Sequence, residues 1–258
     1  MPARLGQHFL VDCAVRDAIV SAAALAAGGR ALEIGPGRGM LTRALLAQDC
    51  AVTAVEMDER LAAALEAEFA GQPRLRVIRE DFLKLDLSLL GEGPFKVVAN
   101  LPYSVATPIL QKLLPWPRWT SAVLMFQEEV ARRITAVPGS CDYGLLTLSV
   151  LLFAEAEYLF EVPRESFAPR PKVVSAVVGL RRREKPLLGE KERELFFKVA
   201  RAAFGERRKM AAGPLARRLG IGRERAANAL KVAGVSATCR AEEIPFEAFL
   251  RLPAALGV

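Results

Sequence analysis

Histidine and paired cysteines are scarce in this sequence. His8 is its one histidine, and the four cysteines lie far apart, at positions 13, 50, 141 and 239, without a Cys-x-x-Cys pair. A zinc site or a histidine-dependent catalytic triad needs several such side chains together, so neither is expected. We expect no metal, and we expect free thiols of the kind that a reducing cytosol maintains.

Long apolar runs are also missing. The longest, residues 144–154, has about half the length that a membrane-spanning helix needs. A secretory leader has a basic region, an apolar stretch and a cleavage site, but Asp12, Arg16 and Asp17 interrupt the first apolar stretch here. We therefore expect a cytoplasmic protein that meets no membrane.

Charge is present but unevenly distributed. Residues 1–160 carry 15 Lys and Arg against 18 Asp and Glu, whereas residues 161–258 carry 21 against 11. The net charges are −3 and +10, which indicates a polyanionic partner met mainly by the C-terminal part. Arg outnumbers Lys 27 to 9, which suits bidentate phosphate contacts, although genomic base composition is an alternative explanation.

Short β-rich runs alternate with helical patterns through the first two-thirds of the chain. The runs typical of buried strands are 30–34, 51–56, 75–79, 95–99 and 121–127, and helical spacing is found at 41–47 and 58–69. This alternation predicts an α/β fold, a parallel sheet with helices on both faces. Two later strands, near 156–162 and 173–180, are expected to form a closing hairpin.

The strand pattern ends after the basic run Arg181, Arg182 and Arg183. Short helices separated by Gly or Pro are predicted at 189–204, 206–219, 222–233 and 241–251. The sequence therefore predicts two domains. Residues 1–183 form the α/β domain, and residues 184–258 form a small all-helical domain.

Glycines follow the first strand of the α/β part, in the stretch "LEIGPGRGMLT". Gly35, Gly37 and Gly39 allow a sharp turn and a close approach of backbone to ligand. The usual dinucleotide spacing GxGxxG needs glycine at position 40, where Met40 stands. The shorter GxGxG spacing suits a nucleoside without a pyrophosphate, such as S-adenosylmethionine. A tight turn that binds nothing is the simpler alternative.

Polar side chains stand at the ends of the next three strands. Glu56 ends the second strand, where a carboxylate is placed to accept both ribose hydroxyls. Asp81 follows the third strand and is placed to accept a hydrogen bond from an adenine N6 amine, and Asn100 ends the fourth. Either acid alone also fits a solvated strand end. Together the residues predict a nucleoside site at the carboxyl edge of the sheet.

The fourth strand ends in "NLPY". The exocyclic amine of adenine is a weak nucleophile, because its lone pair is delocalised into the ring. The Asn100 side-chain oxygen and the Leu101 carbonyl are suited to accept its two N–H hydrogens and to draw the nitrogen toward a pyramidal geometry. Pro102 holds Leu101 extended, and Tyr103 offers a face on which an extruded base stacks. The motif predicts methyl transfer to adenine N6, with an ordinary strand-ending turn as the alternative.

Ordered motifs along nearly the whole chain resemble one family. They are "GQHFL" (6–10), "EIGPGRGMLT" (33–42), "VEMD" (55–58), "EDF" (80–82), "NLPY" (100–103), "FAPRPKVVSAVV" (167–178) and "FGERRK" (204–209). The chain resembles the S-adenosylmethionine-dependent ribosomal RNA adenine dimethyltransferases, and most closely the small-subunit branch identified through kasugamycin sensitivity. The resemblance implies a Rossmann-like class I methyltransferase sheet. It departs from the family at His8, where members usually have Asn.

The resemblance also implies a set of site residues. The cofactor S-adenosylmethionine would be lined by His8, Leu10, Gly35, Gly37, Glu56, Asp81 and Asn100. Phe167 would stack on the target base opposite Tyr103, with a core aromatic as the alternative. RNA phosphates would be bound by Arg181, Arg182, Arg183, Arg207, Arg208 and Lys209, with two solvated charged faces as the alternative.

The substrate that the resemblance implies is 16S rRNA within an immature small ribosomal subunit. Two adjacent adenosines in its 3′-terminal hairpin loop would each receive two methyl groups, and we expect the protein to act as a monomer. The large-subunit branch, which dimethylates one adenosine of 23S rRNA, is one alternative. The spellings "EIGPG", "NLPY" and "PRPKVVSAVV" favour the small-subunit branch. A non-catalytic RNA-binding assembly factor of the same fold is the other alternative.

Overall fold

The computed structural model describes residues 8–206 and 208–257 of the 258-residue chain. These residues form two compact units. The first unit holds the described residues up to Ala131 together with Ala154–Arg183, and the second holds Arg132–Phe153 and the described residues from Glu184 onward. The segment Arg132–Phe153 thus belongs to the second unit, whereas the division predicted from the sequence leaves it in the first.

Nine strands lie in the described part of the first unit. They are β1 (Phe9–Leu10), β2 (Arg30–Ile34), β3 (Ala51–Glu56), β4 (Leu75–Arg79), β5 (Phe95–Asn100), β6 (Trp119–Gln127), β7 (Ala154–Val162), β8 (Phe167–Ala168) and β9 (Ser175–Arg182). Seven of them form one sheet in the order β4-β3-β2-β5-β6-β9-β7, and β1 pairs with β8 as a separate antiparallel ribbon.

The sheet is parallel from β4 to β6 and antiparallel beyond. Strand β9 pairs antiparallel with both β6 and β7, so the two last long strands close the sheet as the sequence predicts. Strand β2 is buried from Ala31 to Ile34, on both faces, because helices cover both sides of a parallel sheet. The α/β fold class is confirmed.

Helices of the first unit follow strands, and two of them begin at Asp caps. They are α1 (Cys13–Ala23), α2 (Met40–Leu46), α3 (Glu59–Glu68), α4 (Ala106–Leu113) and α5 (Glu128–Ile134), whose last turn enters the second unit. Asp12 caps α1 by accepting from the amides of Ala14 and Val15, and Asp58 caps α3 in the same way. These caps turn the chain from strand to helix within two residues of β1 and β3.

The order of the strands fixes where a ligand can enter. From β2 the chain moves outward to β3 and β4 on one side, and it later returns to place β5 and β6 on the other side. Such a reversal leaves a crevice at the carboxyl ends of the central strands, where open α/β sheets bind their ligands. The predicted site residues lie at those strand ends.

The second unit is helical. Its helices are α6 (Leu145–Phe153), α7 (Glu190–Ala203), α8 (Ala212–Leu219), α9 (Arg223–Val232) and α10 (Phe246–Leu256). Phe196 meets Phe249 edge-on with ring centroids 6.4 Å apart, and Phe204 stacks on Phe249 at 5.7 Å. Helix α6 is apolar almost all round because it packs in this core. Among the described helices, none has the length and apolar character needed to cross a membrane.

Candidate active site

A pocket opens at the carboxyl edge of the sheet in the first unit. Most of the site residues predicted from the sequence line it: His8, Leu10, Gly35, Gly37, Glu56, Asp81, Asn100, Leu101, Pro102 and Tyr103. They come from β1 and from the ends of β2, β3, β4 and β5, which are separate stretches of the chain. The fold therefore brings the predicted cofactor residues and the "NLPY" motif to one cavity.

The glycine loop between β2 and α2 forms one wall of this pocket. Gly35 has φ of +69° and donates its N–H to the Val55 carbonyl at 2.9 Å. Gly37 has φ of +57°, and a Cβ there would lie 3.2 Å from the Phe9 ring. Any side chain at Gly37 would be strained in its backbone and crowded by Phe9, so the loop requires glycine for its shape and its neighbour.

The Glu56 carboxylate supports this loop by hydrogen bonding. Glu56 is buried, its Oε2 accepts the Gly37 N–H at 3.0 Å, and its Oε1 accepts the Asp58 N–H at 3.0 Å. Each carboxylate oxygen has a second lone pair, so two further hydrogen bonds remain available on the pocket side. Glu56 thus supports the glycine loop and keeps lone pairs for further donors.

Asp81 lies at the rim, after β4. Its Oδ1 accepts the Leu83 N–H at 2.9 Å, and its carbonyl accepts the N–H groups of Lys84 and Leu85. These bonds fix the turn that carries the side chain. Among the described residues Oδ2 has no partner, so this oxygen is available to a donor in the pocket.

The wall of the pocket also contains the carboxyl of Glu33, which was not among the predicted residues. Glu33 is buried, and the Thr42 hydroxyl donates to its Oε2 at 2.6 Å. Burial raises the pKa of Glu33 to about 8; the Thr42 bond opposes this rise and the nearby Glu56 carboxylate adds to it. The carboxyl is mostly protonated at neutral pH. Glu33 is the first residue of the "EIGPG" motif, and that position was the signal in the sequence by which it could have been predicted.

Asn100 is oriented by its own hydrogen bond. Its Nδ2 donates to the His8 carbonyl at 3.3 Å, which leaves Oδ1 as the acceptor of the amide. The following residue is held as well, because the Leu101 N–H donates to the Met125 carbonyl at 3.4 Å. The two oxygen acceptors predicted from "NLPY" therefore sit on backbone that β6 and β1 hold in place.

Tyr103 is half-buried beside these acceptors. Its hydroxyl lies 2.6 Å from the Ser175 hydroxyl, and its ring lies 5.6 Å from the His8 ring, tilted by 31°. Burial raises the pKa of the Tyr103 phenol, and the hydrogen bond to Ser175 opposes part of that rise. The phenol stays protonated at neutral pH, and the ring is fixed at its far end.

Hydrogen bonds join the segment 8–12 to the segment that follows β7. The His8 Nδ1 donates to the Pro169 carbonyl at 2.7 Å, and the Ser166 hydroxyl donates to Asp12 at 2.9 Å. With Nδ1 occupied, neutral His8 keeps Nε2 as an acceptor, whereas an Asn amide would offer both a donor and an acceptor. Of the first motif, Gly6 and Gln7 lie outside the described residues.

Phe167 is the exception among the residues predicted for the target base. Its side chain is 4% exposed, and it packs in the core of the first unit with Leu10, Val162 and Val177. It does not line the pocket. The structure therefore places Phe167 among the core aromatics, and stacking of the target base on its ring stays a prediction. Phe167 packs inward because β8 pairs with β1 at Leu10.

The side chains of 181–183 lie in two different environments. Arg181 is exposed and pairs with Glu155, and the Arg183 guanidinium lies 3.8 Å from the same carboxylate. The Arg182 guanidinium lies over the Trp119 ring, 5.7 Å from its centroid, and burial lowers its pKa. Strand alternation explains the difference, because neighbouring side chains of β9 point to opposite faces. The Arg182 side chain therefore takes part in packing within the protein.

The second basic cluster lies in the second unit. Arg207 lies outside the described residues, while Arg208 and Lys209 are exposed. The Arg218 guanidinium from α8 occupies the space that a side chain at position 205 would need. The absence of a side chain at Gly205 therefore lets Arg218 lie beside this cluster. Arg218 was not predicted, and only its place in a basic stretch of α8 could have suggested it.

Three other pocket residues were also missed. Phe9 covers Gly37, and the Arg38 guanidinium lies 4.5 Å from the centroid of the Phe9 ring. Met57 lines the pocket with 51% of its surface exposed, although it is apolar. Each of them directly follows a predicted site residue, and that adjacency was the signal in the sequence.

This pocket suits a nucleoside cofactor. Glu56 and Asp81 present acceptors for hydroxyl and amine hydrogens, Met57 presents an exposed apolar surface, and the glycine loop brings backbone close to the cavity. Within 8–206 and 208–257, no group of three or more His, Cys, Asp and Glu side chains is arranged to hold a metal ion.

Comparison with known proteins identifies the family. A family model described as "Ribosomal RNA adenine dimethylase" matches residues 2–256. "Ribosomal RNA small subunit methyltransferase A" of Xanthobacter autotrophicus is 45% identical over 258 residues, covering 96% of this chain and 86% of its own. The protein of the same name from Moorella thermoacetica is 41% identical over 255 residues, covering 95% and 88%.

Solved structures share the fold. A dimethyladenosine transferase from Plasmodium falciparum has a TM-score of 0.82 and 26% identity, covering 95% of this chain and 96% of its own. The 23S rRNA methyltransferase ErmE has a TM-score of 0.76 and 33% identity, covering 97% and 100%. The fold is that of the class I methyltransferases. This chain belongs to the ribosomal RNA adenine dimethylase family, and it is an S-adenosylmethionine-dependent methyltransferase.

Proposed function

We propose that this protein transfers methyl groups from S-adenosylmethionine to N6 of two adjacent adenosines in the 3′-terminal hairpin loop of 16S rRNA. The observation that carries the proposal is the orientation of Asn100. Its amide nitrogen is occupied by the His8 carbonyl, so its oxygen is presented as an acceptor in a pocket that also holds Glu56 and Asp81. The small-subunit name of the curated relatives supports the choice of RNA.

Glu56 and Asp81 would hold the cofactor. The Glu56 carboxylate, braced by two backbone amides, would accept the two ribose hydroxyls, and the free Asp81 oxygen would accept from the adenine amine. Bound S-adenosylmethionine supplies an electrophilic methyl group. Because charge-assisted hydrogen bonds are the stronger ones, Glu56 would contribute most of the polar affinity.

The "NLPY" residues would prepare the target amine. The Asn100 oxygen and the Leu101 carbonyl would accept its two N–H hydrogens and pull the lone pair out of conjugation with the ring. Tyr103 would carry the extruded base on its ring face, a contact worth roughly 1–3 kcal/mol. Holding the amine beside the methyl donor removes much of the entropic barrier to transfer.

The second unit would hold the RNA around the target loop. Its residues carry 17 Lys and Arg against 10 Asp and Glu, and Arg208 and Lys209 are exposed there. Phosphate binding by such a surface is independent of sequence and positions the loop. We further propose that the substrate is an immature small subunit, that the protein acts as a monomer, and that the reaction takes place in the cytoplasm. The free thiols of all four cysteines fit that compartment.

The large-subunit reaction is the alternative with a specific observation behind it, since the chain has the fold of a 23S rRNA methyltransferase. The test is to incubate the protein with labelled S-adenosylmethionine and, separately, with unmethylated small subunits, large subunits and naked 16S and 23S rRNA, then to map the modified nucleotides. Dimethylated adenosines confined to the 3′-terminal loop of 16S rRNA are expected. Label in 23S rRNA would establish the alternative, and binding without label would establish a non-catalytic assembly factor.

A further inference from the structure

Ser175 is a buried hydroxyl that no motif argument explains. It is the first residue of β9, it has no solvent exposure, and its backbone pairs with Gln127 of β6 and Val162 of β7. Strands on both sides therefore fix its position. Buried hydroxyls require a hydrogen-bond partner, and among the described residues the side chain of Ser175 has one, the Tyr103 hydroxyl at 2.6 Å.

Tyr103 stands in a turn, where such an anchor helps to fix the position of its ring. It follows β5 in the turn before α4, outside both regular elements. Its ring centroid lies 5.6 Å from that of His8, with the two ring planes tilted by 31°. The hydrogen bond to Ser175 limits the swing of the whole side chain about its Cα–Cβ bond, because the hydroxyl is the atom that such a swing displaces most.

We propose that Ser175 is a positioning residue for methyl transfer, which holds the Tyr103 ring in the place where the target adenine stacks on it. The proposal rests on the proposed function, in which Tyr103 carries that base. It also gives the antiparallel end of the sheet a part in the reaction, since β9 places Ser175 against the "NLPY" turn of β5, a separation of 72 residues along the chain.

A double-mutant cycle tests this proposal. Ser175→Ala and Tyr103→Phe each remove one hydroxyl of the pair and keep the ring, and the double variant removes both. Each single change is expected to lower kcat/KM for small-subunit RNA about three- to tenfold, the range for one hydrogen bond. The double variant is expected to lose no more than the worse single variant, because the two hydroxyls act as one unit.

Further measurements separate positioning from stability. The cofactor affinity by calorimetry should stay at the wild-type value in both single variants. The denaturation midpoint should stay at the wild-type value in Ser175→Ala and should fall in Tyr103→Phe, which leaves the buried Ser175 hydroxyl without its partner. An RNA with 2-aminopurine at the target adenine should show less quenching on binding to Ser175→Ala than to the wild type, because the base stacks less well. Ser175→Cys, which keeps the size and a weak donor, should recover part of the lost activity.

Multiplicative losses in the double variant would overturn the proposal, and so would unchanged quenching with a lowered denaturation midpoint in Ser175→Ala. The Asn100→Ala variant keeps this outcome distinct from failure of the proposed function. If Asn100→Ala is inactive while Ser175→Ala matches the wild type, only the role of Ser175 is wrong. If the wild-type protein itself transfers no methyl group to small-subunit RNA, the proposed function is wrong.

Discussion

The two compact units differ in how they carry charge. The first has 19 Lys and Arg against 19 Asp and Glu, whereas the second has 17 against 10, so the whole net charge of +7 belongs to the second. In the first unit, Arg43, Arg74 and Arg79 each pair with a carboxylate on the surface. The pocket there is built from oriented hydrogen bonds instead of net charge.

This difference supports the proposal that the two units meet different parts of one substrate. A neutral unit with a shaped cavity selects a small group by hydrogen bonds and burial. A basic helical unit attracts the phosphate backbone over a longer range, with a strong dependence on salt. If that division of labour holds, changes in the first unit should alter chemistry and cofactor affinity, and changes in the second should alter RNA affinity alone.

The largest effect is expected at Asn100. Asn100→Ala should lower the methyl transfer rate by far more than tenfold while cofactor affinity stays within a few-fold, because the amide oxygen acts on the target amine. Loss of about 1.4 kcal/mol of transition-state stabilisation already costs tenfold. Single-turnover rates and calorimetry measure the two quantities. Asn228→Ala, at an exposed position in α9, is the matched control, and a rate above a tenth of wild type in Asn100→Ala would contradict the role.

The pH dependence of the free energy of unfolding should reveal the raised pKa of Glu33. Its pKa is about 8 in the folded protein and 4.5 in the reference state, so the unfolded chain loses this proton first as pH rises. Stability is therefore highest below pH 4.5 as far as this group is concerned, and it falls between 4.5 and about 8, by at most about 1.4 kcal/mol per pH unit. Urea unfolding of Glu33→Gln should lack this decline. Identical pH profiles would show that Glu33 ionises normally.

A smaller effect, on binding alone, is expected at Glu56. Glu56→Ala should weaken cofactor binding by roughly ten- to a hundredfold, since a hydrogen bond to a charged group contributes about 1.5–3 kcal/mol. It should also loosen the glycine loop, because the Gly37 amide loses its acceptor. Glu56→Gln keeps the size and one acceptor, so it should fall between Ala and wild type in calorimetry. Unchanged affinity in both variants would make Glu56 a structural brace only.

In the second unit, changes to the basic cluster Arg207, Arg208 and Lys209 should alter the affinity for RNA and leave the affinity for the cofactor unchanged. Replacing all three with Ala should flatten the slope of log affinity against log salt by about two units, at roughly 0.7 per phosphate contact on single strands. A triple Ala variant of Arg43, Arg74 and Arg79 removes the same charge from ion-paired positions of the first unit and is the control. Equal slopes in both triples would show that only net charge matters.

The smallest effect separates two neighbours in β9. Arg182→Ala should lower the free energy of unfolding by about 1 kcal/mol, because the guanidinium loses its contact with the Trp119 ring and its bond to the Leu114 carbonyl. Arg181→Ala should change stability little, since its pair with Glu155 is exposed. If RNA affinity falls in Arg182→Ala but stability does not, Arg182 serves the RNA after all.

Local patterns in the sequence predicted much of the fold. The apolar runs gave the five parallel strands to within two residues, since a buried strand must be apolar along its length. Helices α1, α4, α5 and α6 were not predicted, although the apolar residues of α4 lie on one face at least as clearly as those of α3, which was predicted. The second unit takes in Arg132–Phe153 through packing of α6 with α7, which no local pattern reports.

The sequence by itself determined the chemistry at the strand ends. Glycine where the backbone must turn, acids at the ends of β3 and β4, and "NLPY" after β5 are each readable from one short stretch. These features are local, because strand periodicity and turn chemistry depend on residues that are neighbours along the chain. They were enough to predict a nucleoside pocket and its acceptors.

Only the tertiary structure decided which distant residues meet there. It placed Ser175 against Tyr103, Phe9 over Gly37, Phe167 in the core and Arg182 over Trp119. Each of these contacts joins residues on different elements, and the register of β1 with β8 and of β9 with β6 sets them. Sheet register follows from packing of the whole core, so an isolated motif carries no information about it.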